Sequence, residues 1–144
     1  MKMSEADKNN PSMFNLGAPF PEAFKNYIKG QAYINPLLKT DVTINNMTFS
    51  PACRTHWHIH YDYRQILLVT GGRGWYQEWG KVPRALKPGD FVNIEPGVKH
   101  WHGATSDSWF SHLVVETHNE NSHTEWVERV TDVDYFKVEV MHVE

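Results

Sequence analysis

Residues 56–60 of the chain read HWHIH, and residues 96–102 read PGVKHWH. In a β-strand, side chains two positions apart point to the same face of the sheet. Each stretch can therefore direct two imidazoles at one point, and imidazole is a common ligand of transition metals. The three histidines of the first stretch cannot share one ion, because their outer Cα atoms would be about 13 Å apart. The spacing is compatible with a metal site but equally with histidines that bind no metal, and it does not select the pair.

Short apolar segments separated by glycine and proline surround both stretches. Strands at a spacing of roughly ten residues with such turns predict an all-β sandwich or barrel. We expect a short helical turn at residues 22–28, whereas the tail after Thr131 fits either a capped helical turn or an edge strand. The predicted strands are residues 32–38, 42–49, 65–70, 74–79, 91–94, 99–102 and 111–117.

Length and composition limit the protein class. A chain of 144 residues is the size of one domain. We expect residues 1–12, which offer little to bury, to form a disordered arm, and residues 13–144 to form the domain. The formal net charge of −3 argues against a nucleic-acid binder. The single cysteine, Cys53, excludes an internal disulfide and predicts a reducing, cytoplasmic compartment. No apolar run is long enough for a membrane span.

The order and spacing of the motifs resemble the cupin superfamily. Its first motif places Gly, His-x-His, Glu and Gly in that order, and its second places Gly, Pro-x-Gly, His and Asn. The resemblance covers residues 31–130 and implies a double-stranded β-helix, the jelly-roll barrel. The corresponding residues here are Ala52, His58, His60, Gln65, Gly72, Gly89, Glu95, Gly97, His100 and Ala104.

A narrower resemblance concerns small single-domain bacterial cupins associated with carboxymuconolactone decarboxylase. That group includes manganese-dependent cupin hydroxynitrile lyases. The resemblance implies that His58, His60, Gln65 and His100 hold a divalent metal, with manganese favoured over iron, nickel or zinc. The relatives have three residues between the second histidine and the glutamine. This chain has four, at 61–64, which could move Gln65 away from the metal.

The predicted strand at 111–117 places His112 and Glu116 on one face. His112 matches the position of the base in the hydroxynitrile lyases, so the resemblance implies that His112 is catalytic and moves a proton. Other histidines lack such a context, and we interpret His102, His118, His123 and His142 as surface residues. The expected pocket residues are Asn45, Met47, Trp101, Phe110 and Glu116.

A neutral glutamine in place of glutamate would leave a bound ion with its full charge, which favours Lewis-acid chemistry. We therefore expect a metal-dependent enzyme with lyase- or decarboxylase-type chemistry on a small hydroxy or carbonyl compound. A metal-dependent dioxygenase and a non-catalytic barrel that binds small molecules or sugars remain open.

The expected partners are a small molecule and a second copy of the chain. We expect neither nucleic acid nor a membrane among them. The homodimer prediction rests on three segments that could be exchanged between subunits: the N-terminal arm, an aromatic strap near Phe14 and Phe20, and the alternating tail.

Overall fold

The computed structural model describes residues 4–141. Within this part of the chain the expected strands form, and shorter strands join them. The helical segments are α1 (Glu5–Asn9), a 3-10 helix (Glu22–Tyr27) and α2 (Asp132–Met141). The strands are β1 (Ala18–Pro19), β2 (Ile28–Lys29), β3 (Ala32–Lys39), β4 (Val42–Phe49), β5 (Arg54–Thr55), β6 (His58–Tyr61), β7 (Gln65–Gly72), β8 (Gly74–Glu78), β9 (Arg84–Leu86), β10 (Phe91–Ile94), β11 (His100–Ala104), β12 (Phe110–Thr117) and β13 (His123–Trp126).

The strands form two antiparallel sheets, as the jelly-roll prediction requires. The first sheet has the order β1-β3-β4-β12-β7-β10. The second has the order β13-β6-β11-β5-β2, with β8 beside β11 and β9 beside β8. Because side chains alternate across a strand, the inward positions of both sheets form one apolar core. Its fully buried members include Phe49, Leu67, Ile94 and Phe110.

Strand pairing brings the two histidine stretches together. His100 of β11 lies opposite His58 of β6. The turn between β10 and β11 is tied to β6, because the Gly97 N–H donates to the His60 carbonyl at 2.8 Å. Gly97 adopts a φ of +85°, a conformation that glycine takes without strain. The Pro-Gly turn therefore sets the register of the two stretches.

The tail forms a helix, not an edge strand, and packs outside the second sheet. The Thr131 hydroxyl accepts a hydrogen bond from the Asp134 N–H at 3.2 Å, which supports the helical alternative of the sequence. Tyr135 of α2 is fully buried among tryptophans, and its hydroxyl donates to the Ala104 carbonyl at 2.7 Å. Neither α1 nor α2 has the length and apolar character needed to cross a membrane.

The N-terminal segment differs from the expected disordered arm. Ser4 and Asp7 cap α1 reciprocally through side chain and backbone. Pro11 then lies so close to Gly71 that a Cβ there would meet the Pro11 carbonyl oxygen at 2.1 Å. The Ser12 hydroxyl donates to Asn46 Oδ1 at 3.2 Å. Residues 4–12 are therefore structured on the outer face of the first sheet, while residues 1–3 lie outside the described part.

We predict that Tyr135→Ala destabilises the protein by about 3–5 kcal/mol, because it empties a fully buried aromatic site between α2 and the second sheet. Urea unfolding followed by circular dichroism measures the change. Phe136→Ala is the matched control, since that ring is 56% exposed on the same helix, and its cost should stay below about 1 kcal/mol. Equal costs for the two variants would contradict the docking of α2.

Candidate metal centre and its pocket

Three buried imidazoles meet where β6 and β11 pair. His58, His60 and His100 each offer one nitrogen, and these three atoms lie within 4.8 Å of one another. The ring centroids of His58 and His100 are 4.2 Å apart. The structure thus brings together the second pair of the HWHIH stretch with His100. His56 instead lies half-buried against Tyr27, with ring centroids 6.0 Å apart.

Backbone carbonyls orient two of the three rings. His58 Nδ1 lies 2.9 Å from the His56 carbonyl oxygen, and His100 Nδ1 lies 2.9 Å from that of Val98. A carbonyl oxygen only accepts, so each Nδ1 must carry the proton. The Nε2 atoms therefore keep their lone pairs, which is the form that binds a metal ion. His100 Nε2 is buried and has no hydrogen-bond partner within residues 4–141.

Gln65 lines the same cavity as His58 and His60, despite its longer spacer. Asp62, within the spacer, adopts a φ of +62°, and its carbonyl accepts hydrogen bonds from Asn119 and Ser122. The extra residue is thus taken up in a turn, and Gln65 still begins β7 on the inward face.

Glu116 sets the direction of the Gln65 amide. Gln65 Nε2 donates to Glu116 Oε2 at 2.8 Å, and an ionised carboxylate accepts but does not donate. The amide oxygen therefore points away from Glu116. Gln65 Oε1 is buried without a hydrogen-bond partner in the described chain. Three imidazole nitrogens and one orphaned amide oxygen form a donor set that fits a divalent transition metal.

Burial keeps the imidazoles neutral. Desolvation, together with the nearby His100 imidazole, lowers the pKa of His60 to about 2. Desolvation likewise lowers the pKa of His100 to about 4 and that of His58 well below its ordinary value. Metal ligation requires neutral imidazole, so the rings hold the required protonation state at neutral pH without a metal present.

The cavity beside this cluster has a volume of about 250 Å³ and two unlike walls. The polar wall includes His58, His60, His102, Gln65 and Glu116. The aromatic strap, taken from here on as residues 18–29, forms part of the apolar wall. Its Tyr27 ring stacks on Trp126, and the Trp126 ring centroid lies 4.7 Å from that of His58. The apolar wall comprises Phe20, Pro21, Phe24, Ile28, Ile34, Met47, Val114 and Trp126.

The expected pocket residues occupy two different environments. Asn45, Met47 and Glu116 line the cavity. Trp101 does not, because it alternates with His100 and His102 and so faces outward, where its Nε1 donates to Gln77 at 2.9 Å. Phe110 points inward but lies in the main core outside the cavity, its ring 5.1 Å from that of His112. For Trp101 and Phe110 the pocket expectation was wrong.

His102 is a buried histidine that the sequence interpretation placed on the surface. It is 2% exposed and lines the cavity. Its ring lies 5.8 Å from that of His58 and 5.0 Å from that of His112. The signal was present in the sequence, since His100 and His102 share a strand face.

His112 is fully buried on β12 and is not among the residues that line the cavity. Neither ring nitrogen has a hydrogen-bond partner within the described residues. Desolvation lowers its pKa to about 4. The His102 ring, which lines the cavity, lies 5.0 Å from that of His112, so His102 is the imidazole through which His112 adjoins the cavity.

His118, which the sequence interpretation placed on the surface, keeps 34% of its side chain exposed. It is half-buried, stacked on Tyr63, with its Nε2 3.1 Å from the Thr43 hydroxyl and 3.5 Å from Glu116 Oε1. Burial raises the pKa of Glu116, and its contacts with His118 and Gln65 oppose that rise. His123 is exposed, and His142 lies outside the described residues.

Comparison with known proteins agrees with this geometry. Residues 45–116, half of the chain, match the family model described as "Cupin domain". The chain belongs to the cupin family. It is 37% identical over 113 residues to the (R)-mandelonitrile lyase of Granulicella tundricola, and the match covers 76% of this chain and 86% of that protein.

Solved cupin structures show the same fold. A cupin-like protein of Thermotoga maritima superposes with a TM-score of 0.81 at 35% identity, covering 88% of this chain and 96% of its own. A predicted oxalate decarboxylase of the same organism gives a TM-score of 0.62 at 21% identity, and the match covers 69% of this chain and 91% of that protein. At that lower identity the likeness concerns the fold alone.

We predict that the metal-free cupin loses stability as the pH falls below about 6.5. A histidine whose pKa is lower in the folded state takes up its proton on unfolding, so acid favours the unfolded chain. Each such histidine lowers the free energy of unfolding by roughly 1.4 kcal/mol per pH unit between its unfolded and folded pKa values.

Urea unfolding after chelation, at pH values of about 7.5, 6.5 and 5.5, measures this slope. A variant of the exposed His123, His123→Ala, should show the same slope as the parent. A free energy of unfolding that stays constant over this range would mean that the imidazoles are not buried and neutral.

Proposed function

We propose that this cupin is a metal-dependent lyase that cleaves a carbon–carbon bond beside the hydroxyl of a small compound, such as a cyanohydrin. The observation that carries the proposal is a cluster of three neutral imidazoles, two of which, His58 and His60, line a cavity with one apolar wall beside the orphaned Gln65 oxygen. The 37% identity to a protein named (R)-mandelonitrile lyase supports the same reaction class.

We further propose that His58, His60, Gln65 and His100 hold manganese, and that the protein works in the cytoplasm. When bound there, the ion would act as a Lewis acid towards a substrate oxygen. Imidazole and amide donors are compatible with manganese. Cys53 is 1% exposed, and burial raises the pKa of its thiol to about 12, so it is an inert packed residue.

The chain's own groups supply binding and proton transfer. The apolar wall receives the carbon part of the substrate, and the strap with Trp126 limits the access of water. Cleavage of a cyanohydrin removes the hydroxyl proton, breaks the bond to the nitrile carbon and returns a proton to the leaving cyanide. His112 is the proposed base, and His102 lies between it and the cavity.

We predict that the manganese-loaded protein converts mandelonitrile to benzaldehyde, and that His112→Ala lowers kcat by about 100-fold or more with its metal content retained. Benzaldehyde absorbance gives the rate and elemental analysis gives the metal content. His123→Ala, at an exposed position, should keep full activity.

The turnover of His102→Ala is measured in the same assay, because His102 lines the cavity whereas His112 does not. Full turnover in His112→Ala with a large loss in His102→Ala would overturn the assignment of the base. A metal-loaded parent that turns over no cyanohydrin would overturn the lyase proposal and favour the binding-protein alternative.

We also propose a homodimer, on grounds that differ from the sequence argument. The strap and the tail are used within the chain: Phe20 packs on Phe49, and α2 docks on the second sheet. The outer face of the first sheet offers an alternative, since Leu68 and Phe91 pair there and are 40% and 59% exposed. The positions around this pair on the same face carry apolar side chains, so a second copy can meet this part of the face with the same surface. Its other members are Ile44, Ile66, Leu113 and Val115.

The double variant Leu68→Lys/Phe91→Lys should therefore be a monomer where the parent is a dimer, because it places charges in the proposed contact. Light scattering coupled to gel filtration measures the mass. Val133→Lys alters an exposed apolar side chain on α2 and should leave the dimer intact. A monomeric parent would refute the proposal.

A further inference from the structure

A second cavity, of about 380 Å³, lies on the far side of the β2–β5 pair from the metal centre. Four of its lining residues carry a permanent positive charge: Lys25, Lys29, Arg54 and Arg129. No carboxylate side chain lines it. The chain as a whole has a net charge of −3, so this concentration of cations is a local feature.

The nearby acids do not neutralise these charges. Asp132 is shared, at 2.5 Å from Lys29 Nζ and 2.7 Å from Arg54 Nη2. Lys25 pairs with Glu22 at 2.6 Å. Arg129 has no carboxylate within 4.0 Å among residues 4–141. Four cations thus face two carboxylates, which leaves an excess of two positive charges at the cavity.

Arg54 makes part of this charge permanent and fixed. Its guanidinium is 3% exposed and donates through Nε and Nη2 to the Val130 carbonyl, at 3.0 and 2.9 Å. The Arg54 Cζ atom lies 4.4 Å from the centroid of the Tyr135 ring, which packs against the guanidinium. A buried cation acts through a lower effective dielectric than an exposed one, so it attracts an anion in the cavity more strongly.

We propose that this cavity binds an oxyanion of the phosphate class. The Arg129 guanidinium can donate two parallel hydrogen bonds to such an anion, and Lys25 and Lys29 add flexible charges at its edge. The Asn26 amide and the Thr55 hydroxyl provide neutral donors in the same lining. This site is separate from the metal ligands and does not depend on the proposed lyase activity.

Two sources could provide the anion. Ile28 and Thr55 line both this cavity and the metal-site cavity, and they pair across β2 and β5. The anion is then either a free phosphate or the phosphorylated end of a larger ligand whose other part lies on the apolar wall. The two probes that separate these cases are inorganic phosphate and phenyl phosphate.

Isothermal titration calorimetry of the full, metal-loaded chain at constant ionic strength tests the proposal. Arg129→Gln should weaken phosphate binding about tenfold, because it removes a charge-assisted pair of hydrogen bonds. Lys39→Gln removes the same charge from a surface outside the cavity and should have no effect. Arg129 is exposed and has no carboxylate partner in the described chain, so its substitution should not affect folding.

The outcomes separate clearly. If Phe24→Ala weakens phenyl phosphate but not phosphate, the ligand spans both cavities, and if it weakens neither, the site takes free phosphate. No saturable phosphate binding, or equal binding by Arg129→Gln and Lys39→Gln, would overturn the proposal. Equal binding by the two variants would also place any bound phosphate elsewhere, at the metal or on the general surface.

Discussion

Five imidazole rings are buried on the inner side of this barrel, those of His58, His60, His100, His102 and His112. A buried polar atom without a hydrogen-bond partner costs about 1–3 kcal/mol, and several of these nitrogens have none within residues 4–141. The surrounding structure keeps the rings in place. Carbonyls orient His58 and His100, Phe49 packs on His102 and His112, and the pairing of β11 with β6 holds the two stretches together.

A divalent ion would offset part of this cost, because it would take up the free lone pairs of His100 Nε2 and Gln65 Oε1. The donors alone are neutral, but Glu116 stands directly behind Gln65. Its carboxylate orients the amide and, when ionised, adds a negative charge near the ion. The site thus combines neutral donors with one carboxylate behind them. Glu116 holds the Gln65 amide in orientation and contributes its charge from the far side of that amide.

Much of the fold and of the metal centre could be predicted from the sequence, because both depend on local alternation and on turn residues. The longer strands and the shared faces of the two histidine stretches follow from period two and from the Pro-Gly turn, whereas the choice of His58, His60 and Gln65 came from the cupin resemblance. The errors concern packing between distant segments. The N-terminal residues 4–12 look disordered until the first sheet is present to receive Pro11 and Ser12. For the tail, which the sequence left open between a helical turn and an edge strand, the docking of Tyr135 among tryptophans from other segments favours the helix.

The errors at the pocket have a related cause. Alternation alone places His102 beside His100 and Trp101 on the opposite face, so both could have been assigned from the strand. The depth of His112 and Phe110 below the cavity, by contrast, depends on how the two sheets close, and no local pattern encodes that distance.

We propose that His58, His60 and His100, with Gln65, form a metal centre. Elemental analysis of freshly purified protein beside the His58→Ala/His100→Ala double variant tests it most directly, with circular dichroism to show that the variant is folded. We expect close to one divalent transition metal per chain in the parent and none in the variant. Absence of metal from a folded parent grown and refolded with manganese, or equal metal in both proteins, would contradict it.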